Sequence, residues 1–481
     1  MANEGRKLTI LFLPYFSASH MVALVDTARL FAARGVTAII ITTTGNAGLF
    51  EASVRHDTAA GHEISVRALK FPAAEVGLPE GIENFSQCIP SMSRNLYNGI
   101  ALLQKPMEQL IREIRPDCIV SDMFHPWTVD LAEELKIPRV IVYPCLAFPR
   151  CVYDSLKVHE PHKKVQSETE DFLIPGLPDK IHMARSELEE HLKTKSSPYG
   201  DWFDSAIEAE HRSYGVIFGS FYELEPSYID HFKKSTGVNC WSLGPLSLFA
   251  NKGKIGNENN SETKRHHCLS WLDTQKPNSV LYTCFGGMVR FSDSQLTQLA
   301  LALESASYPF VLVVRREEEA EENWLLEEFE EKIVKSNRGV IIKGWAPQVQ
   351  ILDHPAIAGF LSHGGGNSVI ESMIAGLPLI LWPMYAEHFY NSKLVTQVLK
   401  IGVEIGPRVW NMTFDLTSPV VEKEEFVKAI KFLMGGSHEA KQMRQRAKDF
   451  EMKAKKAIEE GGSSDRDLIA IIEDLKRCTF G

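Results

Sequence analysis

Short apolar runs alternate with amphipathic stretches along the whole chain, and this alternation constrains the fold more than any other feature. In the first half the runs are LTILFLPYF, VTAIIIT, DCIVSDMF and PRVIVYP. In the second half the runs are SVLYTCFGG, PFVLVVRR, GVIIKGW, IAGFLSH and PLILWP. Buried parallel strands joined by helices produce this pattern. The sequence therefore predicts an α/β protein with two doubly wound, Rossmann-like domains facing a cleft.

The boundary between the two halves is marked by NKGKIGNENNSETKRHH, a polar stretch rich in Asn and Gly that is typical of a linker. We predict an N-terminal domain over 1–245, a linker over 246–270 and a C-terminal domain over 271–460. The charged amphipathic segment at the end of the chain predicts a helix over 461–481 that packs back on the N-terminal domain.

Composition excludes several classes of partner. The 481 residues carry a formal net charge of -10 without a run of Lys and Arg, which disfavours nucleic acid. No apolar run of about 18 residues is present, so we expect no stable membrane insertion. The eight cysteines form no CxxC pair, which favours a reducing compartment and no zinc site. We therefore predict a cytoplasmic protein, a monomer, without a metal.

The N-terminal apolar run has a second interpretation. Arg6 and Lys7 precede it and small residues follow it, as in a signal peptide. The helix-period run MVALVDTARLFAARG comes directly afterwards, and it favours a strand, a loop and a helix of the mature fold instead.

The stretch SHGGGNSVIES (362–372) places three glycines between an apolar run and the start of a helix. Such a turn offers unpaired N–H groups and the positive end of a helix dipole, which suit a phosphate. His363, Asn367 and Ser368 can add side-chain donors. A structural alternative is a capping box formed by Ser368 and Glu371. HGGG also resembles the oxyanion loop of some lipases and esterases, but the required G-x-S-x-G is absent from the sequence.

The segment from Trp345 to His388, WAPQVQILDHPAIAGFLSHGGGNSVIESMIAGLPLILWPMYAEH, resembles the donor-binding box of plant UDP-dependent glycosyltransferases of family 1. MVALVDTARLFA and CLSWLDTQKPNSVLYTCFG also resemble that family, especially its branch acting on triterpenoids, steroids and flavonoids. The resemblance implies the GT-B architecture and an inverting enzyme that forms an O-glycoside on a hydrophobic plant specialised metabolite. The UDP-sugar would be a co-substrate, and no cofactor or metal is expected.

The same resemblance assigns roles within the box. Trp345 would stack on uracil, while Ala346 would meet the base edge through its backbone. Gln348 and Glu371 would hold the nucleoside, because a carboxylate can accept from both ribose hydroxyls. The predicted contacts with the diphosphate and the sugar are Gly287, His363, Gly365, Gly366, Asn367, Ser368, Tyr385, Glu387 and His388.

Two residues in the first half predict the catalytic chemistry. A histidine near its ordinary pKa is suited to general-base catalysis at neutral pH. A lone histidine after a strand is more often structural, but His20 matches the catalytic histidine of the family. Asp122 ends the run CIVSD and matches the aspartate that orients it. The carboxylate would fix the imidazole tautomer, as in a Ser-His-Asp triad without the serine.

The acceptor is predicted to be a hydrophobic small molecule that binds near variable apolar loops. We place Met92, Phe124, Trp127 and Phe148 among its contacts, with ordinary core packing as the alternative.

Five positions depart from the family pattern, of which Gly364 in place of a cysteine is a minor one. Gly366 replaces a tryptophan beside the sugar, Gly287 a serine, His388 a glutamine and Ala23 a proline. Histidine at position 388 is typical of members that use galactose or another sugar, so the donor sugar is predicted to be galactose or another non-glucose sugar. The alternative is a catalytically weakened GT-B protein that acts as a binding or scaffold subunit.

Overall fold

The structure is a computed structural model that describes residues 6–194, 198–251, 265–289, 291–314, 324–411 and 419–480. The chain divides into two compact units. The first unit consists of Met1–Ala147, Ser196–Glu258 and Lys456–Gly481, and the second consists of Phe148–Lys195 and Asn259–Lys455. Most of the predicted linker lies outside the described residues.

The described part of the first unit contains one parallel sheet of seven strands in the order β3-β2-β1-β4-β5-β8-β9. The strands are β1 (Thr9–Leu13), β2 (Thr37–Thr43), β3 (Ile64–Leu69), β4 (Cys118–Asp122), β5 (Arg139–Tyr143), β8 (Gly215–Phe218) and β9 (Asn239–Ser242). The helices are α1 (Ala18–Ala33), α2 (Thr44–Ala47), α3 (Glu51–Ala59), α4 (Ser93–Leu102), α5 (Gln104–Ile114), α6 (Thr128–Leu135), α9 (Pro198–His211), α10 (Pro226–Thr236), α11 (Leu246–Asn251) and α20 (Ser463–Phe480).

The central strands are mostly apolar and fully buried because helices cover both faces of a parallel sheet. All five residues of β4 are buried, as are all five of β5. The buried cluster of this unit joins Phe12 and Phe31 to Leu468, Ile471 and Leu475 of α20. The C-terminal helix is therefore part of the same hydrophobic core as the first strand.

The second unit has a parallel sheet in the order β12-β11-β10-β13-β14-β15 and an antiparallel hairpin, β6-β7. Its strands are β6 (Asp171–Leu173), β7 (His182–Ala184), β10 (Val280–Cys284), β11 (Phe310–Val314), β12 (Gly339–Lys343), β13 (Ile357–Ser362), β14 (Leu379–Leu381) and β15 (Gly402–Glu404). Its helices are α8 (Glu190–Lys193), α12 (His267–Leu272), α13 (Asp293–Ala306), α14 (Trp324–Ser336), α15 (Gln348–Leu352), α16 (Gly366–Ile374), α17 (His388–Lys393) and α18 (Lys423–Met434). A π-helical turn (Leu394–Val398) continues α17, and α7 (Ala147–His159) and α19 (His438–Ala457) cross the division.

Both sheets confirm the predicted α/β class with two Rossmann-like domains. The units differ from the predicted boundaries chiefly because residues 148–195 group with the second unit rather than with 1–245. The contacts of this segment include buried ion pairs, in which Glu187 bonds to Lys393 and Arg408 of the second unit. Hydrophobic periodicity does not predict such contacts.

Each sheet has a switch point, where the strand order reverses and ligands bind beyond the carboxyl ends. In the first sheet it lies between β1 and β4, which pair with Leu13 opposite Ser121. In the second it lies between β10 and β13, with Cys284 opposite Ser362. Asp122 ends β4, and His20, Gly287 and His363 follow β1, β10 and β13. Other residues of the predicted box, Trp345 and His388 among them, follow β12 and β14 of the second sheet. No helix in the described ranges is both long and apolar enough to cross a bilayer.

Candidate active site

The first switch point brings His20 and Asp122 together. His20 lies in the first turn of α1, and its Nδ1 is 2.7 Å from Asp122 Oδ2. The Asp122 side chain is 1% exposed and that of His20 is 21% exposed. The other carboxylate oxygen of Asp122 accepts a hydrogen bond from the Phe124 N–H at 3.0 Å. A buried carboxylate in this position favours the tautomer with the proton on Nδ1, which makes Nε2 the basic nitrogen.

Aromatic rings hold the histidine in place. Phe124 stacks on His20 with centroids 5.4 Å apart, and Trp202 stacks on Phe124 at 4.6 Å. Tyr15 contacts His20 edge-on at 6.2 Å and Phe124 at 4.9 Å. Burial raises the pKa of Tyr15 well above its ordinary value, so the phenol is neutral. Neither Tyr15 nor Trp202 is among the residues predicted from the sequence. Trp202 belongs to α9, about 80 residues after Phe124 along the chain, so no local motif connects the two rings.

A cavity of about 530 Å³ lies beside these rings in the first unit. It is lined by Tyr15, Phe124, Trp127, Trp202 and Met107, with Arg212 among its polar residues. This places two of the four predicted acceptor contacts, Phe124 and Trp127, on one cavity. The lining does not include the other two: Phe148 is completely buried, and Met92 is half-buried.

The second switch point brings two glycine loops against His363. Gly286, after β10, has φ +74, and a Cβ there would lie 2.9 Å from two atoms of the His363 ring. Gly365, after β13, has less room still, since its Cβ would lie 2.7 Å from His363 Nε2. The ring of His388 meets that of His363 edge-on at 4.6 Å. The backbone of these two glycine loops therefore packs directly against the buried His363 ring at this edge of the sheet.

Both histidines are neutral. Burial lowers the pKa of His363 to about 4. It also lowers the pKa of His388 well below its ordinary range, and the neighbouring His363 adds to the effect. At neutral pH the His363 ring thus provides one N–H donor and no formal charge. Stabilisation of an anion here depends on backbone N–H groups and the helix dipole.

Helix α16 begins at Gly366, directly after the glycines, and Gly365 is its N-cap. The Gly366 N–H donates to Glu387 Oε1 at 3.2 Å, which brings the end of the box to the helix N-terminus. Asn391 Nδ2 donates to the Gly364 carbonyl at 2.8 Å and fixes the loop from the opposite side. The sequence analysis missed Asn391, because it lies three residues beyond the recognisable box.

The capping-box interpretation of Ser368 and Glu371 is wrong. Ser368 is the third residue of α16 rather than its N-cap, and both side chains face Gln348. Gln348 Nε2 donates to Glu371 Oε2 at 2.7 Å and lies 3.3 Å from Ser368 Oγ. The Tyr282 hydroxyl lies 3.3 Å from Gln348 Oε1. The two residues predicted to hold the nucleoside therefore form one hydrogen-bonded pair.

The carboxyl of Glu371 has a raised pKa. Burial raises its pKa to about 7, and the hydrogen bond from Gln348 opposes the rise. Hydrogen bonds from ligand hydroxyls to this carboxyl would favour its ionised form.

Trp345 is 73% exposed, so its indole face is open to a planar ligand. The Gln348 N–H donates to the Ala346 carbonyl at 2.8 Å and orders the turn between them.

The remaining predicted residues follow different strands: Gly287 follows β10, Asn367 lies in the first turn of α16, and Tyr385 follows β14. Tyr385 contacts His388 with ring centroids 4.3 Å apart, and Gly287 and Asn367 are half-exposed. Among the residues that the structure describes, no cluster of three or more His, Cys, Asp or Glu side chains could hold a metal ion.

The first unit combines a parallel sheet with a histidine bonded to a buried carboxylate, and the second places a glycine loop at a helix N-terminus. Two Rossmann-like units of this kind are the architecture of the GT-B glycosyltransferases. Residues 213–414 match the family model described as UDP-glucoronosyl and UDP-glucosyl transferase. The nuatigenin 3-beta-glucosyltransferase of Solanum aculeatissimum is 44% identical, covering 100% of this chain and 99% of the relative. The soyasapogenol B glucuronide galactosyltransferase of Glycine max is 42% identical, covering 99% and 97%.

A solved structure agrees with these relatives. The crystal structure of a Glycyrrhiza uralensis glycosyltransferase complexed with glycyrrhetinic acid 3-O-monoglucuronide has a TM-score of 0.93 and 41% identity, covering 98% of this chain and 96% of that one. The chain belongs to the plant UDP-dependent glycosyltransferases of family 1.

Proposed function

We propose that this enzyme transfers a sugar from a UDP-sugar, with inversion, to a hydroxyl of a triterpenoid, steroid or flavonoid. The observation that carries the proposal is the 2.7 Å hydrogen bond between His20 and Asp122 at the switch point of the first sheet. A UDP-sugar site at the second switch point supplies the donor. The cytoplasm remains the predicted compartment.

The His20–Asp122 pair supports direct displacement. His20 Nε2 removes the proton of the acceptor hydroxyl, while Asp122 stabilises the imidazolium that forms. The acceptor oxygen bonds to the anomeric carbon as the bond to the diphosphate oxygen breaks. UDP leaves with that electron pair, and attack opposite the leaving group inverts the anomeric centre.

The leaving diphosphate is held by neutral donors in this account. The N–H groups of Gly365, Asn367 and Ser368 lie at the start of α16, where the helix dipole favours negative charge. His363 adds an N–H from its neutral ring. These donors are fixed before the reaction, so they stabilise the developing charge without reorganisation.

The cavity of the first unit supports a bulky hydrophobic acceptor. Trp127, Trp202 and Met107 give the cavity apolar walls, and Asp130, Glu208 and Arg212 add polar ones. Phe124 lines the cavity and stacks on His20, so an acceptor bound there would lie near the histidine. Relatives are named for nuatigenin and soyasapogenol B glucuronide, both of which are polycyclic. We propose a polycyclic acceptor of the saponin type ahead of a flavonoid.

The donor sugar is proposed to be galactose or another non-glucose sugar. Gly366 widens the wall beside the sugar, and the buried His388 ring, held between His363 and Tyr385, faces the same loop. The galactosyltransferase among the relatives supports this choice, while the nuatigenin relative is a glucosyltransferase. The donor preference must therefore be measured.

We expect His388→Gln to shift donor preference toward UDP-glucose. The Tyr385 N–H faces His388 Nδ1 at 3.5 Å, which leaves the neutral ring only its Nε2–H for a sugar, whereas a glutamine amide can both donate to and accept from sugar hydroxyls. The ratio of kcat/KM values for UDP-glucose and UDP-galactose should rise at least about tenfold, or about 1.4 kcal/mol. An unchanged ratio would assign donor choice to Gly366 or another wall of the site.

The test of the proposed function is product analysis. The purified enzyme is incubated with UDP-glucose or UDP-galactose and a triterpenoid, steroidal or flavonoid acceptor, and the products are analysed by mass spectrometry and proton NMR. We expect one added hexose with a β-anomeric coupling. An α-linked product would contradict direct displacement.

A further inference from the structure

The end of the donor box is supported by a segment that lies about 200 residues earlier in the sequence. Residues 182–189, the support segment, comprise β7, a single 3-10 turn and the residues before α8. The segment belongs to the second unit, as does α17, the helix that begins at His388.

Three side chains on successive turns contact the support segment. Tyr390 donates its hydroxyl to Glu189, and Lys393 pairs with Glu187 at 2.7 Å. One turn further, Gln397 bonds to both the N–H and the carbonyl of His182, at 3.0 and 2.9 Å. One whole face of this helical stretch is therefore bound by polar contacts.

Trp410 makes a fourth contact, which joins the support segment to Ala386, the residue before Glu387. The Trp410 N–H donates to the Ser186 carbonyl at 2.8 Å, and the Trp410 indole N–H donates to the Ala386 carbonyl at 3.3 Å. Ala386 has φ +48, a conformation that is unfavourable for a side chain with a Cβ and needs support from its surroundings. Trp410 links that strained turn to the support segment.

The charges in this contact are deeply buried. The side chain of Glu187 is 0% exposed and that of Lys393 is 5% exposed, and Arg408 also bonds to Glu187 at 2.8 Å. Buried ion pairs add little net stability, because desolvation offsets the attraction, but separating the partners leaves an uncompensated buried charge and is strongly unfavourable. The pair of Glu187 with Lys393 therefore disfavours separation of the support segment from the helix that carries His388.

Glu189 accepts the hydrogen bond of Tyr390, which lies two residues after His388. It is buried, and burial raises its pKa to about 7; the hydrogen bond from Tyr390 opposes the rise, and the negative charge of Glu387 adds to it. Its carboxyl is therefore within electrostatic range of Glu387, which receives the Gly366 N–H.

We propose that the support segment positions the sugar-binding end of the donor box, and that the hydrogen bond between Glu189 and Tyr390 is a determinant of donor-sugar affinity. The inference rests on the proposed function, because it takes Glu387 and His388 as the sugar contacts. Glu189 acts through Tyr390 and α17, so it is a positioning residue.

Three variants test the inference: Tyr390→Phe removes the donor, Glu189→Ala removes the acceptor, and Glu189→Gln keeps an acceptor oxygen without a charge. We expect the first two to raise the KM for the UDP-sugar at least about fivefold. They should leave the Kd for UDP within about twofold, because UDP lacks the sugar. Glu189→Gln should restore most of the affinity that Glu189→Ala loses.

The matched control is Glu190→Gln, which changes an adjacent carboxylate that is 64% exposed and paired only at the surface with Lys193. Its KM should equal that of the unmodified enzyme. If Tyr390→Phe and Glu189→Ala lose affinity for UDP and for the UDP-sugar equally, the segment has only a structural role and the inference is overturned. Unchanged KM values in these two variants would also overturn it. Failure of the unmodified enzyme to transfer any sugar would instead reject the proposed function.

Discussion

His20→Ala reduces sugar transfer by about 10²–10⁴-fold in kcat and leaves UDP binding intact, if the histidine is the general base. Its Nδ1 is held 2.7 Å from a buried aspartate, so the substitution removes a group with a defined tautomer and orientation. UDP binding depends on loops of the second unit and should not change. Rates of product formation by mass spectrometry and UDP titration by calorimetry measure the two effects separately.

Two variants accompany His20→Ala. Asp122→Asn keeps the shape of the aspartate but loses the charge that stabilises the imidazolium, so kcat should also fall strongly. His56→Ala changes an exposed histidine on α3 and should have no effect. Transfer by His20→Ala at the rate of the unmodified enzyme would mean that another group removes the acceptor proton.

Gly365→Ala is expected to weaken UDP binding at least about tenfold, or about 1.4 kcal/mol. The new Cβ would lie 2.7, 3.2 and 3.4 Å from three atoms of the His363 ring. That ring has little room to move, because Gly286 closes one side and His388 meets it edge-on. We expect either the ring or the helix N-terminus to shift, which disrupts the N–H donors that face the diphosphate.

A second glycine provides the control for this prediction. Gly436, between α18 and α19, also has an ordinary backbone conformation, and a Cβ there meets nothing within 4 Å. Gly436→Ala therefore introduces the same methyl group without a collision. If both alanine variants bind UDP as the unmodified enzyme does, the glycine loop is not the diphosphate site.

The fold class could be predicted from the sequence because its signal is local. Runs such as CIVSD and IAGFLS are mostly apolar and are buried at every position, as expected of strands covered on both faces, and the structure places them in parallel sheets. The position of the site also follows from this pattern, since residues that end neighbouring parallel strands meet at one edge. His20 and Asp122 meet in that way across 102 positions of sequence.

Other features could not be predicted, because they depend on contacts between distant segments. The grouping of residues 148–195 with the second unit rests on buried ion pairs such as that of Glu187 with Lys393. The neutral state of His363 rests on burial by two glycine loops, one of them nearly 80 residues earlier in the chain. Neither hydrophobic periodicity nor motif spacing carries such information.

The box also shows where a motif can mislead. Ser368 and Glu371 have the spacing of a capping box, yet the helix begins two residues before Ser368 and both side chains turn to Gln348. Only the position of the N-cap distinguishes the two cases. The observed N-cap, Gly365, resolves an ambiguity that the spacing alone left open.

The most direct test of the central claim is acceptor-dependent release of UDP by the purified enzyme. UDP-glucose and UDP-galactose are each supplied with and without a polycyclic acceptor, and UDP is measured as it forms. The account predicts release that requires the acceptor and matches the amount of glycoside formed. Tight binding of UDP with no release from any donor, in the presence of acceptors that related enzymes glycosylate, would contradict it.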